Sequence, residues 1–492
     1  MKKWQKVAAL SASAVAVAGL AACGSLKGDN SKSAMTDDGK PVIKMYQIGD
    51  APDNLDVLLE QANKIIGEKA NAKLEIQYLG WGEYSDKMNV IVNSGENYDI
   101  AFASNYVLNA QKGAYADLTE IYQKEGKELY DSLDPAYIKG NTVDGKIYAV
   151  PVSANVASAQ HFAFNGPLLE KYGIDISNVK SLEDLEPALK VIKEKAPETV
   201  PFAVGKNYSV SSNFDFPIST EYPFVIDLDG DTKKIAISYD VESYRSKLRT
   251  MHKYYQAGYI PQDVATSDTT YNFSDDTWFV REETVGPADY GDSLLTRVAG
   301  RDIKIRQYTD FYKKNPTTQV ANFVISSTSK NKEKAMKVLT LLNTDKELLN
   351  GLVYGPEGVN WEKVAGSEDR VKVLPPYNEG SSHMSGWNTG NNWNLYINEN
   401  VTDEQVAEAK KILAEAKESP ALGFNFNPEP VKAELSAVSN TLKQYAPAIN
   451  TGTVDPDVEI PKLMEKLKSE GAYEKVLKEL QKQYDDFLSA KK

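Results

Sequence analysis

Residues 381–396 read Ser-Ser-His-Met-Ser-Gly-Trp-Asn-Thr-Gly-Asn-Asn-Trp-Asn-Leu-Tyr. Two Trp and a series of Asn in a Gly-rich stretch make a poor core. They suit a ligand rich in hydroxyl groups, because an amide donates and accepts together and an indole offers a broad apolar face. Trp387 and Asn388 are expected to meet such a ligand, and Trp393 to pack. A structured surface loop is the alternative. A second set of the same kind lies early in the chain: Asp50 after Gly49, Trp81 and Glu83 in Gly80-Trp81-Gly82-Glu83, and Asn105-Tyr106 after Ser104. An aromatic ring packs against the C–H face of a pyranose, and Asp50, Glu83 and Asn105 offer hydrogen bonds to its hydroxyls. The competing reading buries Trp81 beneath its loop and leaves Asp50 and Glu83 solvated.

Bond-making chemistry has no comparable footing. The chain lacks a Gly-x-Ser-x-Gly elbow, a phosphate-binding loop and a His-Glu-x-x-His motif. Its three His, at 161, 252 and 383, have no metal-ligand spacing. Asp227-Leu228-Asp229-Gly230-Asp231 approaches a calcium loop, but the sixth and twelfth positions are Thr232 and Ser238 where that loop needs Gly and an acid. Carboxylates are abundant without a recognisable catalytic setting. No enzyme activity, cofactor or metal is expected.

The early set needs a scaffold, and the sequence supplies one. Val42–Ile48, Lys73–Leu79 and Tyr98–Ala103 read as strands. Asn54–Lys69, with Leu55, Leu58, Leu59, Ala62, Ile65 and Ile66 on one face, and Tyr84–Asn93 read as the helices between them. A β-α-β-α-β run with short connections implies a largely parallel sheet covered by helices. Ligands of such sheets bind outside the carboxyl ends of the strands, where Asp50, Trp81, Glu83, Asn105 and Tyr106 all fall. At 492 residues two or more lobes are expected.

Asn141–Tyr172 is the place to pass between lobes. Asp144-Gly145 is a turn between strand-like runs. Ile147–Val152 and His161–Phe164 are buried strands, and the small residues 153–159 join them. Asn165-Gly166-Pro167 opens a helix. The run Asp-Gly-Lys-Ile-Tyr-Ala-Val-Pro, then Phe-Asn-Gly-Pro-Leu-Leu-Glu-Lys-Tyr and Ser-Leu-Glu-Asp-Leu, resembles the first hinge of extracellular solute-binding proteins of sugar ABC transporters, the maltose-binding-protein type. Gly-Ala-Tyr-Ala-Asp-Leu-Thr at 113–119 and the 319–342 stretch continue the family order.

The resemblance implies an α/β, two-lobed periplasmic-binding-protein-like fold of type II, with discontinuous lobes joined by a hinge. It places the N-terminal lobe at 41–152 plus 318–355 and the C-terminal lobe at 153–317 plus 356–492. It implies a third crossing near Gly351–Trp361 and brings Trp361 to the cleft. It also implies a cleft aromatic after Gly286-Pro287, a position held here by Tyr290 beside Asp289; Trp278 is either core or ligand-facing. The helical tail from Thr402 resembles an extension found in large Gram-positive sugar-binding lipoproteins, the streptococcal oligosaccharide and N-glycan binders, and is expected to wrap the second lobe. Phe424 and Phe426 are either structural or at one end of the cleft.

Residues 1–22 read as a signal peptide, with Lys2, Lys3 and Lys6 before the apolar Val7–Leu20. Leu20-Ala21-Ala22-Cys23 resembles the lipobox of bacterial lipoproteins, and Cys23 is the chain's one Cys. Lipidation there implies an anchor on the outer face of the cell membrane, with residues 23–40 as a flexible tether. The formal charge of −13 argues against nucleic acid and anionic membrane surfaces as partners. The expected function is capture of an oligosaccharide by a monomer, for delivery to two permease subunits and an ATPase. A peptide-binding transport lipoprotein and an extracellular glycosidase are the alternatives.

Overall fold

The computed structural model describes residues 34–379, 382–469 and 471–491. The expected signal peptide and Cys23 lie outside them. The first sheet grows from the expected β-α-β-α-β run. β1 (Val42–Ile48) pairs in parallel with β2 (Lys73–Leu79) along its whole length, and with β3 (Ile100–Phe102) on its other side. α1 (Leu55–Lys69) buries Leu58, Ala62 and Ile66, and α2 (Tyr84–Ser94) buries Tyr84, Met88 and Ile91. β3 is shorter than Tyr98–Ala103 because Asp99 is used otherwise. Its carboxylate accepts the Lys44 N–H at 3.0 Å and the Ser329 hydroxyl.

The sheet is not all parallel. Asn322–Ile325 joins β3 antiparallel, and Ala149–Pro151 joins Asn322–Ile325 antiparallel at the edge. Asn322–Ile325 arrives from the second lobe and runs against β1–β3, whereas Ala149–Pro151, antiparallel to it, runs in their direction and leads out toward the second lobe. Pro151 has no N–H to give a further strand, which suits an edge position.

A second sheet centres on Ala159–Asn165. Trp278–Val285 and Ile303–Gln307 flank it antiparallel, and Val200–Phe202 adds in parallel outside Trp278–Val285. Each sheet has its own apolar cluster. One contains Ile43, Leu74, Ile100, Phe323 and Leu339; the other contains Phe162, Phe202, Phe224, Leu248 and Phe279. Trp278 is fully buried, with its indole N–H donated to the Asn272 carbonyl at 2.8 Å, so it is core. Helices Lys432–Asn450, Pro456–Ser469 and Ala472–Ala490 add Leu435, Leu463, Val476 and Leu480 to the second cluster. Phe424 packs against Tyr484 and Phe487 and is structural.

Three short segments connect the clusters: 152–158, 311–321 and 416–423. Tyr312–Lys313 pairs in parallel with Lys417–Glu418, and the Val152 N–H donates to the Ala321 carbonyl at 2.9 Å. Neighbouring lysines of the middle segment point opposite ways. Lys313 ion-pairs with Asp134 at 2.7 Å on one side, while Lys314 donates to the Phe214 carbonyl at 2.8 Å on the other.

Two expectations fail here. The third crossing is at 416–423, not at Gly351–Trp361. The Trp361 indole donates to the Gly355 carbonyl at 2.8 Å and its ring packs with Tyr354 and Tyr396, so that segment folds back on the helix it has just left. Residues 384–398 consequently sit on the first cluster rather than the second. Met384 N–H donates to Leu352 carbonyl at 2.8 Å and Asn394 Nδ2 to Asn343 carbonyl at 2.7 Å. The end of the expected tether is also ordered. Thr36 and Lys40 close a turn, Met35 bridges to Pro41, and the Val42 N–H donates to Ala34 at 2.9 Å.

Candidate functional site

The carboxyl ends of β1, β2 and β3 carry three loops. Gly49, with φ +116°, ends β1 where Trp81 from the β2 loop lies over it; a Cβ there would sit 3.5 Å from Trp81 Nε1. Trp81 is 57% exposed, a large apolar side chain left in solvent. It is held by a second indole. Trp387 stacks on it at 5.8 Å between ring centres and 22° between planes. Trp387 in turn stands edge-on to Phe102 at the end of β3, at 5.9 Å and 77°. The result is a two-indole platform rooted in the first sheet and facing water.

The loop that brings Trp387 is seated by close approach. A Cβ on Gly390 would lie 2.0 Å from the Leu342 carbonyl oxygen, so only glycine lets the loop lie on helix Lys332–Thr344. Gln47 Nε2 donates to the Asn388 carbonyl at 2.8 Å, tying the loop to β1. Asn388 itself is 4% exposed.

A second aromatic pair lies further along the same loop. Trp393 is half-buried and meets Tyr290 edge-on at 6.3 Å and 76°. Tyr290 follows the second sheet's strand Trp278–Val285 and is itself half-buried in a left-handed conformation, φ 53°. The pair therefore bridges the two lobes, whereas the Trp81–Trp387 platform belongs to one. The turn before Tyr290 is closed by Asp289, whose carboxylate accepts the Gly286 N–H at 2.7 Å and the Asn155 amide at 3.0 Å. Burial holds the Asp289 carboxyl above its ordinary range.

The expected residues divide into three groups. Trp81, Trp387, Asp50 and Asn105 are exposed at the strand ends, with Asn105 in a left-handed conformation. Glu83 is exposed there too, but pairs with Lys87 at 2.6 Å, which holds its carboxyl below the usual range. Tyr290 and Asp289 lie at the lobe junction. Three are not available to a ligand. Tyr106 is 8% exposed, with its hydroxyl donated to the Asn141 carbonyl. Trp361 is 5% exposed in the aromatic cluster of Tyr354 and Tyr396. Asn388 is locked by Gln47 and by its own amide, which donates to the Ile48 carbonyl at 3.4 Å. Trp393 packs as expected, against Tyr290 and through its indole N–H to the Ala154 carbonyl. Asn155 was passed over, and nothing local in the sequence marks it.

Among the described residues no group of His, Cys, Asp and Glu is placed to hold a metal ion. No helix of the described residues is long and apolar enough to cross a membrane.

A sequence profile described as bacterial extracellular solute-binding protein matches residues 56–348, and a second, described as a domain of unknown function, matches 420–489. A carbohydrate ABC transporter substrate-binding protein of Streptococcus pneumoniae is 70% identical, with both chains covered in full. The crystal structure of the N-glycan transport solute-binding protein of Streptococcus pneumoniae is similar with a TM-score of 0.91 and 71% identity, covering 92% of this chain and 100% of that one. The same protein in complex with Man5GlcNAc gives a TM-score of 0.78 at 71% identity and the same coverage.

Proposed function

We propose that this chain, which belongs to the family of bacterial extracellular solute-binding proteins, captures an oligosaccharide of the N-glycan type between its lobes. It is the substrate-binding protein of a carbohydrate ABC transporter. The observation that carries the sugar reading is the exposed Trp81–Trp387 stack at the strand ends. Two indoles left in water cost hydrophobic free energy unless a ligand covers them. Their flat faces suit pyranose C–H faces, and Asp50, Asn105 and Glu83 from the same strand ends suit hydroxyls. Tyr290 and Trp393 add an aromatic edge from both lobes, so a bound glycan favours the closed arrangement by its greater contact there.

The finer parts of the reading follow from this. The first lobe takes 41–152, 318–355 and the 384–398 loop; the second takes 153–317 and the helical tail. Delivery is to two permease subunits with an ATPase behind them. Cys23 carries a lipid that keeps the protein, as a monomer, on the outer face of the membrane. The glycan is released intact, in keeping with the transport role of the relatives; of the buried acids of the second lobe, Glu282 accepts from Tyr208 and Ser211, and Asp215 from Ser419.

Calorimetry with Man5GlcNAc tests the reading. The wild-type chain binds, and Trp81→Ala and Trp387→Ala each lose roughly 2 kcal/mol, some thirtyfold in affinity. Absence of binding, or full affinity in both variants, sinks the sugar platform. Recovery of a shortened glycan would point to hydrolysis instead.

A further inference from the structure

Three consecutive residues of the first crossing hold both arms of the lobe-bridging aromatic pair. The Ser153 carbonyl accepts the Asn392 N–H at 2.8 Å. The Ala154 carbonyl accepts the indole N–H of Trp393 at 3.2 Å, while the Ala154 N–H donates to the Tyr137 hydroxyl at 2.9 Å. Asn155 then closes on the turn that carries Tyr290. Its Nδ2 donates to Asp289 Oδ1 at 3.0 Å, and its Oδ1 accepts the Ala288 N–H at 2.7 Å. The approach is close enough to require glycine opposite. A Cβ on Gly286 would fall 2.1 Å from Asn155 Cγ.

We propose that Asn155 is a positioning residue for ligand binding: from within the hinge it sets the Tyr290 turn against Trp393, and so fixes the sugar-contacting edge that both lobes share. This rests on the oligosaccharide reading above. The chemistry of the side chain is specific. The turn presents one backbone donor and one carboxylate acceptor to the hinge, and a primary amide satisfies both at once. A serine has one short arm. An aspartate keeps the acceptor but sets carboxylate against carboxylate. An alanine leaves the Ala288 N–H and one Asp289 oxygen short of partners in a half-buried place. Because Trp393 hangs from Ala154 and the Tyr290 turn from Asn155, one peptide unit carries both arms. Rotation at this unit changes the gap between the rings. The site therefore feels the hinge directly, without an intervening element.

The charged groups around the turn are few. Arg297, on the helix that follows, faces Asp289. Arg370 faces Tyr290 and pairs with Asp403, at the start of the helix Asp403–Glu415 that packs on the turn. Asp292 accepts from Gln405 at 3.1 Å.

The test uses the full chain, Man5GlcNAc and the variants Asn155→Ala and Asn155→Asp, with Trp81→Ala as the comparison. Asn155→Ala is expected to lose about tenfold in affinity, the scale of one satisfied hydrogen-bond pair. Asn155→Asp is expected to lose at least as much at pH 7.5 and to regain it at pH 5.5. There one of the two facing carboxyls takes up a proton and donates in place of the amide. Trp81→Ala shows no such recovery. A ligand-free readout accompanies this: the indole ¹⁵N–H resonance of Trp393, assigned by its loss in Trp393→Phe. It shifts in Asn155→Asp and returns on acidification. Wild-type affinity in both Asn155 variants overturns the proposal. So does a loss in Asn155→Asp that acid does not reverse, with the Trp393 resonance unmoved. If the wild-type chain does not bind Man5GlcNAc, the sugar reading fails by itself, and the Trp393 resonance still decides whether Asn155 sets the pair.

Discussion

An indole reads the same in sequence whether it faces water or core; what differs is what distant parts of the chain pack around it. Trp278 and Trp361 both donate at 2.8 Å to nearby carbonyls, and both are buried. Trp81 and Trp387 stack on one another and remain exposed. The strand-end argument located Trp81, Asp50, Glu83 and Asn105 because position after a strand is a local property. It misplaced Tyr106, whose hydroxyl is taken by Asn141, because that partner lies 35 residues away. Burial of ionisable groups was not legible either. His161 is 5% exposed against Phe311, and burial pushes its pKa down to about 4. The unfolded chain binds a proton there near pH 6.5 and the folded chain does not. Stability from this residue is therefore full above pH 6.5 and falls as the pH drops toward 4, by roughly 3 kcal/mol at the end of that window. Urea unfolding of the wild type and His161→Asn at pH 7.5 and 4.5 checks it: the difference between the two midpoints should shrink at low pH.

Periodic segments were the legible elements. α1 and the strands β1, β2 and β3 stand within two residues of their expected ends, since each is a local pattern of apolar and polar residues. The crossings were harder, because a short hinge strand has no periodicity and is defined only by its partner. The Gly351–Trp361 stretch has turn residues enough for a crossing, yet its aromatic partners Tyr354 and Tyr396 draw it back. The 384–398 loop is the clearest case of an element fixed by distant contacts. Gly390 fits because it lies against the Leu342 carbonyl, a backbone atom that cannot step aside. Gly390→Ala is expected to destabilise the fold by on the order of 2 kcal/mol. It should also unseat Trp387, so thermal midpoint and Man5GlcNAc affinity fall together. Unchanged values of both would show that the loop is not seated as described.

The two lobes are discontinuous in sequence and joined by three segments, one more than a simple two-strand hinge needs. At equal identity and coverage, this chain is more similar to the relative's structure for which no sugar is named than to the Man5GlcNAc complex. Man5GlcNAc should lower the radius of gyration measured by small-angle scattering, and Trp81→Ala should need more sugar for the same change. An unchanged radius at saturating sugar would contradict closure.

The opposed lysines of the middle crossing have a consequence for the entropy of binding. Lys313 is fastened to Asp134 on one lobe and Lys314 to the Phe214 carbonyl on the other, while the neighbouring crossing runs alongside as a paired strand. Sliding of one lobe past the other would pull on both bonds at once. The empty molecule is accordingly expected to explore a narrow family of openings. Closing it would then give up little freedom on the protein side. A branched glycan is itself flexible and must be ordered on capture. A receptor restricted in this way would leave that ordering as the main entropic opposition to binding.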